Sequence, residues 1–380
     1  MKIAYIANIR LPTEKAHGYQ IMRTCAALAA QGAEVTLVVP ARRNPLGKTD
    51  PFTYYGIAQR FPIVRLPVVD LVGVARRLVG PLGFWIESFT FARAVKTFLR
   101  VHAADWVYSR DELILKTLGP IHRMVAAELH ALPNAKHYTQ LLQRLDCIIV
   151  ITRAIKEGLE KWGIVAEKIV VASDAVELDE FSRLPEKAAA RAQLGWNPQH
   201  KIALYAGHPY PWKGVFRLAE ASRLLPEPWR VVFVGGQGNY LKPLQNKVMD
   251  DPSKRAQVIP HQERNKLPAY YAAADVLVVP NSPETDRSRL YTSPLKLFEY
   301  LAAGRPIVAS DLPSIREVVS EREVIFVNPS SFQSIADGIR HAGEEDQSAR
   351  VAAAKKLAER YTWDGRATTI LAALNALPKT

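Results

Sequence analysis

The sequence has few of the residues and patterns that mark several large classes of protein. Its 380 residues include two cysteines, Cys25 and Cys147, both in apolar surroundings, so neither a disulfide framework nor a cysteine-rich metal cluster is expected. It has no run of 18 or more uncharged apolar residues, so we expect no membrane-spanning helix. The first residues, MKIAYIANIR, have too short an apolar core for a signal peptide. These features predict a cytoplasmic protein.

Acidic residues are scarce in one part of the chain. The net charge is +13, and residues 41–100 hold ten Lys or Arg against Asp50, Asp70 and Glu87. The same stretch is rich in Phe, Tyr and Trp. Basic residues beside aromatic ones are typical of a nucleic-acid surface, of a surface that docks on an anionic membrane, or of a solvated rim over a core helix. The overall 48% hydrophobic content indicates a globular chain, long enough for two domains.

Short apolar runs alternate with helical patterns along the whole chain, which predicts α/β domains with parallel sheets covered by helices on both faces. The predicted strands of the first half are Lys2–Ala7, Glu34–Val39, Trp106–Tyr108, Met124–Glu128, Cys147–Ile151 and Ile169–Val171. Those of the second half are Ile202–Ala206, Arg230–Val234, Gln257–Ile259, Val276–Val279, Pro306–Ala309 and Val324–Phe326. Three strands follow an Asp that turns the chain, at Asp105, Asp146 and Asp275. The pattern indicates two doubly wound halves joined by a polar linker near residues 172–200.

Parallel sheets bind ligands beyond the carboxyl ends of their strands, so the loops there are the candidate sites. In YAGHPYPWKG, Gly207 permits a sharp turn and Lys213 can reach an anion held at the next helix. In VFVGGQGN, the glycines around Gly236 indicate close backbone approach, although the dinucleotide fingerprint G-x-G-x-x-G is not met. Read alone, each is more often an ordinary turn with a solvated lysine or a few glycines.

Lys296 and Glu299 form the third candidate, in a helix whose other residues are mostly apolar. The preceding Ser293-Pro294 predicts the helix start, with Ser293 as its N-cap. A first helical turn offers unpaired N–H groups and a positive dipole end, which suit an anion. A lysine neutralises phosphate and a carboxylate accepts sugar hydroxyls. The alternative is a simple ion pair within the helix.

A fourth candidate lies near the N-terminus, in IRLPTEKAHGYQIM. Lys15, His17 and Gly18 fall on the loop after the first predicted strand, where Gly18 permits close approach of a ligand. We expect this loop to border a bound ligand. The alternative is a helix N-terminus with incidental polar residues.

Taken in order along the chain, these segments resemble the retaining GT-B glycosyltransferases of family 4, also described as glycosyl transferases group 1. The resemblance covers essentially the whole chain, and its most specific segments are 203–215, 231–238, 267–280 and 293–319. It implies two doubly wound Rossmann-like α/β domains facing a central cleft. The N-terminal, acceptor-side domain would span residues 1–172, with the helix 362–380 crossing back to it, and the nucleotide-sugar domain would span residues 173–361.

The resemblance also implies roles for individual residues. Lys213 would contact the donor diphosphate, Glu299 would bind the ribose hydroxyls, and the loop at His261 and Gln262 would lie against the base. His130 would lie near the reacting sugar, and backbone N–H groups around Thr292–Leu295 would face a phosphate. The implied donor-binding residues are Gly207, His208, Lys213, Gly236, His261, Gln262, Ser293, Leu295, Lys296 and Glu299. The implied catalytic residues are His130, Lys213 and Lys296. With this function, the loop that holds Lys15, His17 and Gly18 is expected to border the acceptor or the donor phosphates.

The sequence departs from the family pattern at two positions. Tyr291 stands where the upstream of two glutamates is usual, so Glu284 or Asp286 is a candidate to contact the donor sugar instead. His208 stands where an arginine is usual, which leaves Lys213 and Lys296 as the phosphate cations. With no strict D-x-D motif and no His/Cys cluster, we expect no essential metal and no cofactor other than the nucleotide-sugar co-substrate.

The resemblance implies transfer of a sugar, with retention, to a glycan or lipid-linked acceptor. A sugar-nucleotide 2-epimerase of the same architecture is the alternative among enzymes. A nucleic-acid-binding protein is the alternative from another class, motivated only by charge.

The basic, aromatic stretch contains a predicted helix, FWIESFTFARAVKTFLR (84–100), with a basic edge at Arg93, Lys96 and Arg100. An apolar segment that includes Arg76 and Arg77 precedes it. We expect this surface either to dock on the inner face of the cell membrane or to be core with a solvated rim.

Overall fold

Two parallel sheets organise the chain. The computed structural model describes residues 1–71, 80–118, 124–133 and 136–376. It divides into two compact units: unit 1 contains residues 1–173 and 363–380, and unit 2 contains residues 174–362. Each unit has its own sheet, and every strand pair in both sheets is parallel.

Unit 1 has a seven-stranded sheet in the order β3-β2-β1-β4-β5-β6-β7. Its strands are β1 (Lys2–Ile6), β2 (Glu34–Pro40), β3 (Ile63–Leu66), β4 (Trp106–Ser109), β5 (Val125–Leu129), β6 (Cys147–Val150) and β7 (Ile169–Val171). Its helices are α1 (Ala16–Ala30), α2 (Pro51–Tyr55), α3 (Gly80–Val101), α4 (Glu112–Leu118), α5 (Lys136–Arg144), α6 (Arg153–Lys161) and the C-terminal α16 (Trp363–Ala376). Helix α16 packs on α1, with Trp363 edge-on to Tyr19 and Arg366 donating to the Thr24 hydroxyl.

Unit 2 has a six-stranded sheet in the order β10-β9-β8-β11-β12-β13. Its strands are β8 (Lys201–Ala206), β9 (Trp229–Val234), β10 (Ala256–Ile259), β11 (Val276–Val279), β12 (Ile307–Ser310) and β13 (Ile325–Val327). Its helices are α7 (Lys187–Leu194), α8 (Val215–Ser222), α9 (Leu241–Met249), α10 (Leu267–Ala273), α11 (Asp286–Arg289), α12 (Leu295–Ala303), α13 (Pro313–Arg316), α14 (Phe332–Glu344) and α15 (Ser348–Ala358). This order confirms the predicted doubly wound arrangement.

The apolar strands bury both of their faces. Along β8, Leu204 and Ala206 pack into one hydrophobic cluster, with residues of α10, α12 and α15. Ala203 and Tyr205 alternate with them and pack into a second cluster, with residues of α8 and α14. Burial on both faces is the reason that these strands read as continuous apolar runs.

The three Asp turns share one hydrogen-bonding pattern. Asp105, Asp146 and Asp275 each precede a strand, and each carboxylate accepts the N–H of the first or second residue of the neighbouring strand. The donors are Lys2 at 2.7 Å, Val125 at 2.9 Å and Ile202 at 2.6 Å. In return, each Asp donates its own N–H to the carbonyl of the same residue. Each Asp therefore gives hydrogen-bond partners to the backbone N–H and carbonyl of the neighbouring strand where the pairing of the two strands begins.

Two local predictions were wrong. Strand β3 was not predicted, because it is a short, partly exposed edge strand bounded by Pro62 and Pro67, so it lacks a clear apolar run. Ser293 does not cap α12: Pro294 holds that position without a side-chain cap, and the Ser293 hydroxyl instead accepts the N–H of Asp174 at 3.0 Å. The Ser293 hydroxyl therefore binds the backbone of a residue distant in the chain instead of capping the helix that follows it.

The strand order places the candidate sites. The direction of winding reverses between β1 and β4 in the first sheet and between β8 and β11 in the second. At such a reversal the loops leave on opposite faces and open a crevice at the carboxyl edge. The loops after β8 and β11 and the start of α12 meet at this edge in unit 2; the loops after β1, β4 and β5 meet at it in unit 1. None of the described helices is long and apolar enough to cross a membrane.

Candidate active site

The Lys296 amine is buried and has no hydrogen-bond partner in the part of the chain that the structure describes. The residue is 6% exposed. The ammonium lies over the Tyr205 ring, 3.6 Å from its centroid, which stabilises the charge only in part. Burial, and next the charge of Lys213, hold the pKa of Lys296 well below its ordinary value. A buried, unpartnered charge is costly in the absence of an anion.

Lys213 contributes a second cation at the same edge of the sheet. It ends the short turn Pro211–Lys213 after β8, and its Nζ lies 5.4 Å from the ring centroids of both Tyr210 and Trp212. No carboxylate lies within ion-pair distance of it in the part of unit 2 that the structure describes. Burial, with a smaller contribution from Arg287, lowers the pKa of Lys213 to about 8. Because the charge of Lys213 also contributes to the lowered pKa of Lys296, the two lysines together form a site suited to a multiply charged anion.

Three glycines with positive φ lie near these lysines, and one of them leaves space beside Lys296. Gly207 has φ +139°, and a Cβ there would lie 3.6 Å from Lys296 Nζ. Gly214, φ +71°, lets the Lys213 turn pack directly on the carbonyl of Pro280, where any side chain would clash. Gly236, φ +87°, packs on Pro209 in the same way. Gly207 is the one whose missing side chain opens room next to the cation.

Glu299 is held by partners other than Lys296. Its Oε1 pairs with Arg264 at 2.8 Å, and its Oε2 accepts the Tyr271 hydroxyl at 2.7 Å. The side chain is 7% exposed. The intrahelical pair with Lys296, the alternative raised by their spacing, is therefore not what the helix uses. Each carboxylate oxygen retains a further acceptor site, so Glu299 can still accept ligand hydroxyls.

The other predicted donor residues lie on the same carboxyl edge. The His208 ring packs against Tyr210 and Tyr240, with centroids 4.7 and 6.2 Å away. His261 follows β10, is exposed, and donates its N–H to the Gly236 carbonyl at 2.9 Å, while Gln262 donates to the Pro260 carbonyl at 3.2 Å. Leu295 opens α12.

The two acidic substitutes for the missing upstream glutamate lie on the surface. Glu284 pairs with Arg217 at 2.5 Å and is 60% exposed, and Asp286 pairs with Arg289 at 2.7 Å. The loop also contains a residue that the sequence did not single out. Asn281, directly after β11, is 1% exposed, and neither polar atom of its amide has a partner in the described chain. Asn281 is therefore a better candidate for a ligand contact than either carboxylate.

The first sheet has a different polar centre, built around Glu128 at the carboxyl end of β5. His130 Nε2 lies 2.5 Å from its Oε1, and the Gln20 amide donates to the same oxygen at 2.8 Å. Tyr108 donates to Oε2, and Arg366 of α16 lies 3.1 Å from that oxygen. Sequence reasoning identified His130 and missed the residues that surround it, because they come from four separate segments.

Charge balance sets the protonation of this centre. Burial lowers the pKa of His130 to about 4, reinforced by Arg110 and opposed by Glu128. Burial would raise the pKa of Glu128, but Arg366, His130 and Arg110 together hold it well below its ordinary value. Near neutral pH the pair is a neutral imidazole beside a carboxylate.

The prediction that Lys15, His17 and Gly18 lie on a loop was wrong in part: His17 and Gly18 are in the first turn of α1, near Arg110 of this centre. Burial and the charges of Arg110 and Lys15 lower the pKa of His17 to about 4. Lys15 is exposed and precedes α1. Gly18 is buried, and a side chain there would collide with Thr13 and the Tyr55 hydroxyl. Packing alone therefore requires glycine at position 18, whatever binds nearby.

The structure describes no group of three or more His, Cys, Asp or Glu side chains arranged to hold a metal ion.

Arg76 and Arg77, in the basic segment before α3, lie outside the described residues. On α3 itself the apolar residues are divided between core and surface: Phe91, Ala92 and Val95 are buried. Trp85 and Phe89 are 59% and 57% exposed.

Comparison with known proteins agrees with this architecture. The family described as "Glycosyltransferase Family 4" matches residues 18–180, and "Glycosyl transferases group 1" matches residues 186–360. A D-inositol 3-phosphate glycosyltransferase of Xylanimonas cellulosilytica is 29% identical over 247 residues, 61% of this chain and 57% of the relative. One from Mycobacterium sp. (strain KMS) is 31% identical over 230 residues, 55% and 51% of the two chains. The matches thus span about half the length of these relatives.

Solved structures share the fold over the whole chain. HepE of Anabaena, crystallised with UDP and glucose, has a TM-score of 0.77 at 17% identity, covering 99% of this chain and 100% of its own. WaaG, a glycosyltransferase of lipopolysaccharide biosynthesis, has a TM-score of 0.67 at 16% identity, with 100% coverage of both chains. The fold is therefore GT-B, and the chain belongs to the group 1 glycosyltransferases of family 4.

Proposed function

We propose that this protein transfers a sugar from a nucleoside diphosphate to the hydroxyl of an acceptor. The observation that carries the proposal is the Lys296 ammonium, which is buried, without a hydrogen-bond partner among the described residues, and accompanied by Lys213. A diphosphate supplies the negative charge that this site needs. The HepE structures contain UDP and, in one case, UDP-glucose, which supports a nucleotide-sugar donor for a chain of the same fold.

The proposed chemistry uses the chain's own positive charges. As the glycosidic bond breaks, charge accumulates on the departing diphosphate, where Lys213, Lys296 and the amino end of α12 stabilise it. Because these groups supply the charge that a bound cation supplies elsewhere, we propose that transfer needs no metal. Glu299 accepts hydrogen bonds from the ribose hydroxyls, and the loop at His261 and Gln262 lies against the base. Transfer proceeds with retention of the anomeric configuration, as the family resemblance implies.

The test begins with donor binding. Thermal shift is measured against a panel of nucleoside diphosphates and nucleotide sugars, because a ligand that binds only the folded state raises its stability. We expect one nucleotide and its sugar derivatives to stabilise the wild type and to leave Lys296→Met unaffected. Stabilisation of both proteins alike, or of neither, contradicts the site.

Transfer is then measured with the selected donor. Chelator-treated enzyme is expected to form a product of retained configuration with a glycan or lipid-linked acceptor. The same incubation without acceptor separates transfer from 2-epimerisation, since an epimerase converts the nucleotide sugar alone. Salt-sensitive binding to duplex DNA without any nucleotide-sugar binding favours the nucleic-acid alternative instead.

For the acceptor side we propose docking on an anionic membrane surface. Helix α3 and the residues near it carry an exposed apolar patch, formed by Val69, Leu82, Phe84, Trp85 and Phe89. Arg93 and Arg100 are exposed on the same helix, and residues 41–100 have a net excess of basic residues. Apolar side chains that insert beside cations are the combination that an anionic lipid surface binds. A lipid-linked acceptor would be reached at such a surface.

Liposome co-sedimentation tests the docking. We expect binding to phosphatidylserine vesicles that falls with salt and is lost in a Trp85→Ser/Phe89→Ser variant. The matched control is Phe332→Ser, which removes an exposed aromatic, 41% accessible, from unit 2. Absence of binding by the wild type at low salt, or equal loss in the control, rejects the membrane surface.

A further inference from the structure

The Glu128 carboxylate is fully buried and surrounded by hydrogen-bond donors. Gln20 and His130 lie 2.8 and 2.5 Å from Oε1, and Tyr108 and Arg366 contact Oε2. The donors lie on α1, β4, β5 and α16, or just beyond them, and Arg366 follows Glu128 by more than half the chain. A buried carboxylate persists in a fold only with such compensation. What distinguishes this centre is that one of the donors is an imidazole that remains partly accessible.

The orientation of the Gln20 amide is determined by a cation. The Arg110 guanidinium, which has donors only, contacts Gln20 Oε1. The amide nitrogen of Gln20 must therefore point the other way, and it lies 2.8 Å from Glu128 Oε1 and 3.4 Å from His130 Nε2. Gln20 Nε2 and His130 Nε2 therefore both approach the same acceptor, Glu128 Oε1.

The tautomer of His130 follows from these contacts. A carboxylate oxygen accepts only, so the 2.5 Å approach of Glu128 Oε1 requires a proton on Nε2. A lone pair on Nε2 would face the carboxylate and be repelled. Because the imidazole is neutral, a proton on Nε2 leaves the lone pair on Nδ1.

We propose that Glu128 is a positioning residue: it holds His130 as the Nε2–H tautomer, so that Nδ1 accepts a hydrogen bond from a sugar hydroxyl at this edge of the first sheet. This inference rests on the proposed glycosyl transfer for its substrate and on the contacts of Nε2 for the position of the proton. The Glu128 side chain is fully buried, whereas the His130 side chain is 23% exposed. A ligand therefore reaches the imidazole and not the carboxylate.

The charged surroundings keep the imidazole neutral. Arg110 and Arg366 are the cations near the ring, Glu128 is the anion, and Gln20 is the neutral partner on α1. Burial and Arg110 lower the pKa of His130 to about 4, so the ring remains an acceptor throughout the neutral range. Arg366 also donates to the Ser173 carbonyl at 3.1 Å and to the Thr24 hydroxyl at 3.1 Å, which fixes the guanidinium beside Glu128.

The tautomer is measured directly on wild-type protein labelled with ¹⁵N-histidine. Long-range ¹H–¹⁵N correlation spectra distinguish Nε2–H, Nδ1–H and imidazolium forms, and the His130→Ala variant identifies the signals. We expect a neutral Nε2–H ring between about pH 6 and about pH 8. An Nδ1–H ring or an imidazolium in that range overturns the proposal.

Glu128→Gln then tests positioning. Its carboxamide cannot accept from all the surrounding donors, so we expect the His130 signals to move towards Nδ1–H. With the folded variant we expect kcat to fall by about 10- to 100-fold while the KM for the donor changes little. A changed tautomer with unchanged kcat overturns the role in the reaction, and so does a rise in KM alone.

Glu112→Gln is the matched control, because it removes an exposed carboxylate, 49% accessible, that pairs with Lys116 in the same unit. It should leave the His130 spectrum and kcat unchanged. If no donor supports transfer, the proposed function fails while the spectrum still decides the tautomer. If transfer occurs and His130 is Nδ1–H, only the positioning role fails.

Discussion

The two polar centres of this protein treat buried charge in opposite ways. In unit 1 the Glu128 carboxylate is surrounded by donors from α1, β4, β5 and α16, and the fold itself compensates the charge. In unit 2 the Lys296 ammonium has an aromatic ring beneath it, a second lysine nearby and no hydrogen-bond partner among the described residues. The protein itself balances the charge of Glu128, whereas the described residues do not balance a charge on Lys296.

The difference separates groups that organise a site from groups that bind ligand. A satisfied buried charge belongs to the folded structure, and removing it leaves its partners uncompensated. An unsatisfied one raises the free energy of the ligand-free protein, and the ligand that neutralises it recovers that energy on binding. The comparison predicts that removing the charge will cost stability at Glu128, whereas at Lys296 it will cost activity without a loss of stability.

The largest effect is expected at Glu128. Glu128→Leu leaves Arg366 and Arg110 without their carboxylate, so we expect it to lower the free energy of unfolding by about 3–5 kcal/mol. Urea denaturation followed by circular dichroism measures the loss. Glu112→Leu, which removes an exposed ion-paired carboxylate, is the control and should cost far less. Similar losses in the two variants would show that the network is not compensated as described.

Lys296→Met should have the converse effect. The substitution removes a buried cation and keeps an unbranched side chain, so we expect the melting temperature to stay the same or rise. Turnover should fall by about 100- to 1000-fold, since charge on the leaving group is no longer stabilised. Lys266→Met, at an exposed lysine of unit 2, serves as the control. A variant that is less stable and fully active would assign Lys296 to structure rather than to ligand binding.

Glu299 is an intermediate case, a buried carboxylate with two partners and acceptor sites to spare. Glu299→Gln keeps the size of the side chain but replaces one acceptor with a donor. We expect the nucleotide to bind about tenfold more weakly by calorimetry, as loss of a hydrogen bond to a charged group predicts. Arg264→Gln, which removes a partner of the carboxylate without touching it, tests whether the effect arises through Arg264. Undiminished nucleotide affinity in Glu299→Gln argues against the ribose role.

The smallest effect is a pH dependence of donor binding. Lys213, with its pKa near 8, is charged below that value and neutral above it. Affinity for a nucleoside diphosphate should therefore decline by about threefold as the pH rises from about 7 to about 9.5. Lys213→Arg should remove this decline, because the guanidinium stays charged. A decline of the same size in Lys213→Arg would place the titrating group elsewhere.

The sequence determined the architecture because the required information is local. Continuous apolar runs predicted all but one of the strands to within a residue or so at their ends, since strands buried on both faces are apolar throughout. The exception, β3, is a short edge strand with half-exposed residues and so has no such run. The three Asp turns were also predicted from the sequence, because an Asp recurs directly before an apolar strand in each of them.

Tertiary structure alone decided which charges are paired. Spacing on α12 made Lys296 and Glu299 equal candidates for a mutual ion pair, and only the fold brought Arg264 and Tyr271 to Glu299. Likewise the family resemblance singled out His130, whereas Gln20, Arg110 and Arg366 converge on Glu128 from distant segments. The pairing of charged side chains depends on distances of a few ångströms between residues far apart in the chain, and these distances cannot be predicted from the local sequence.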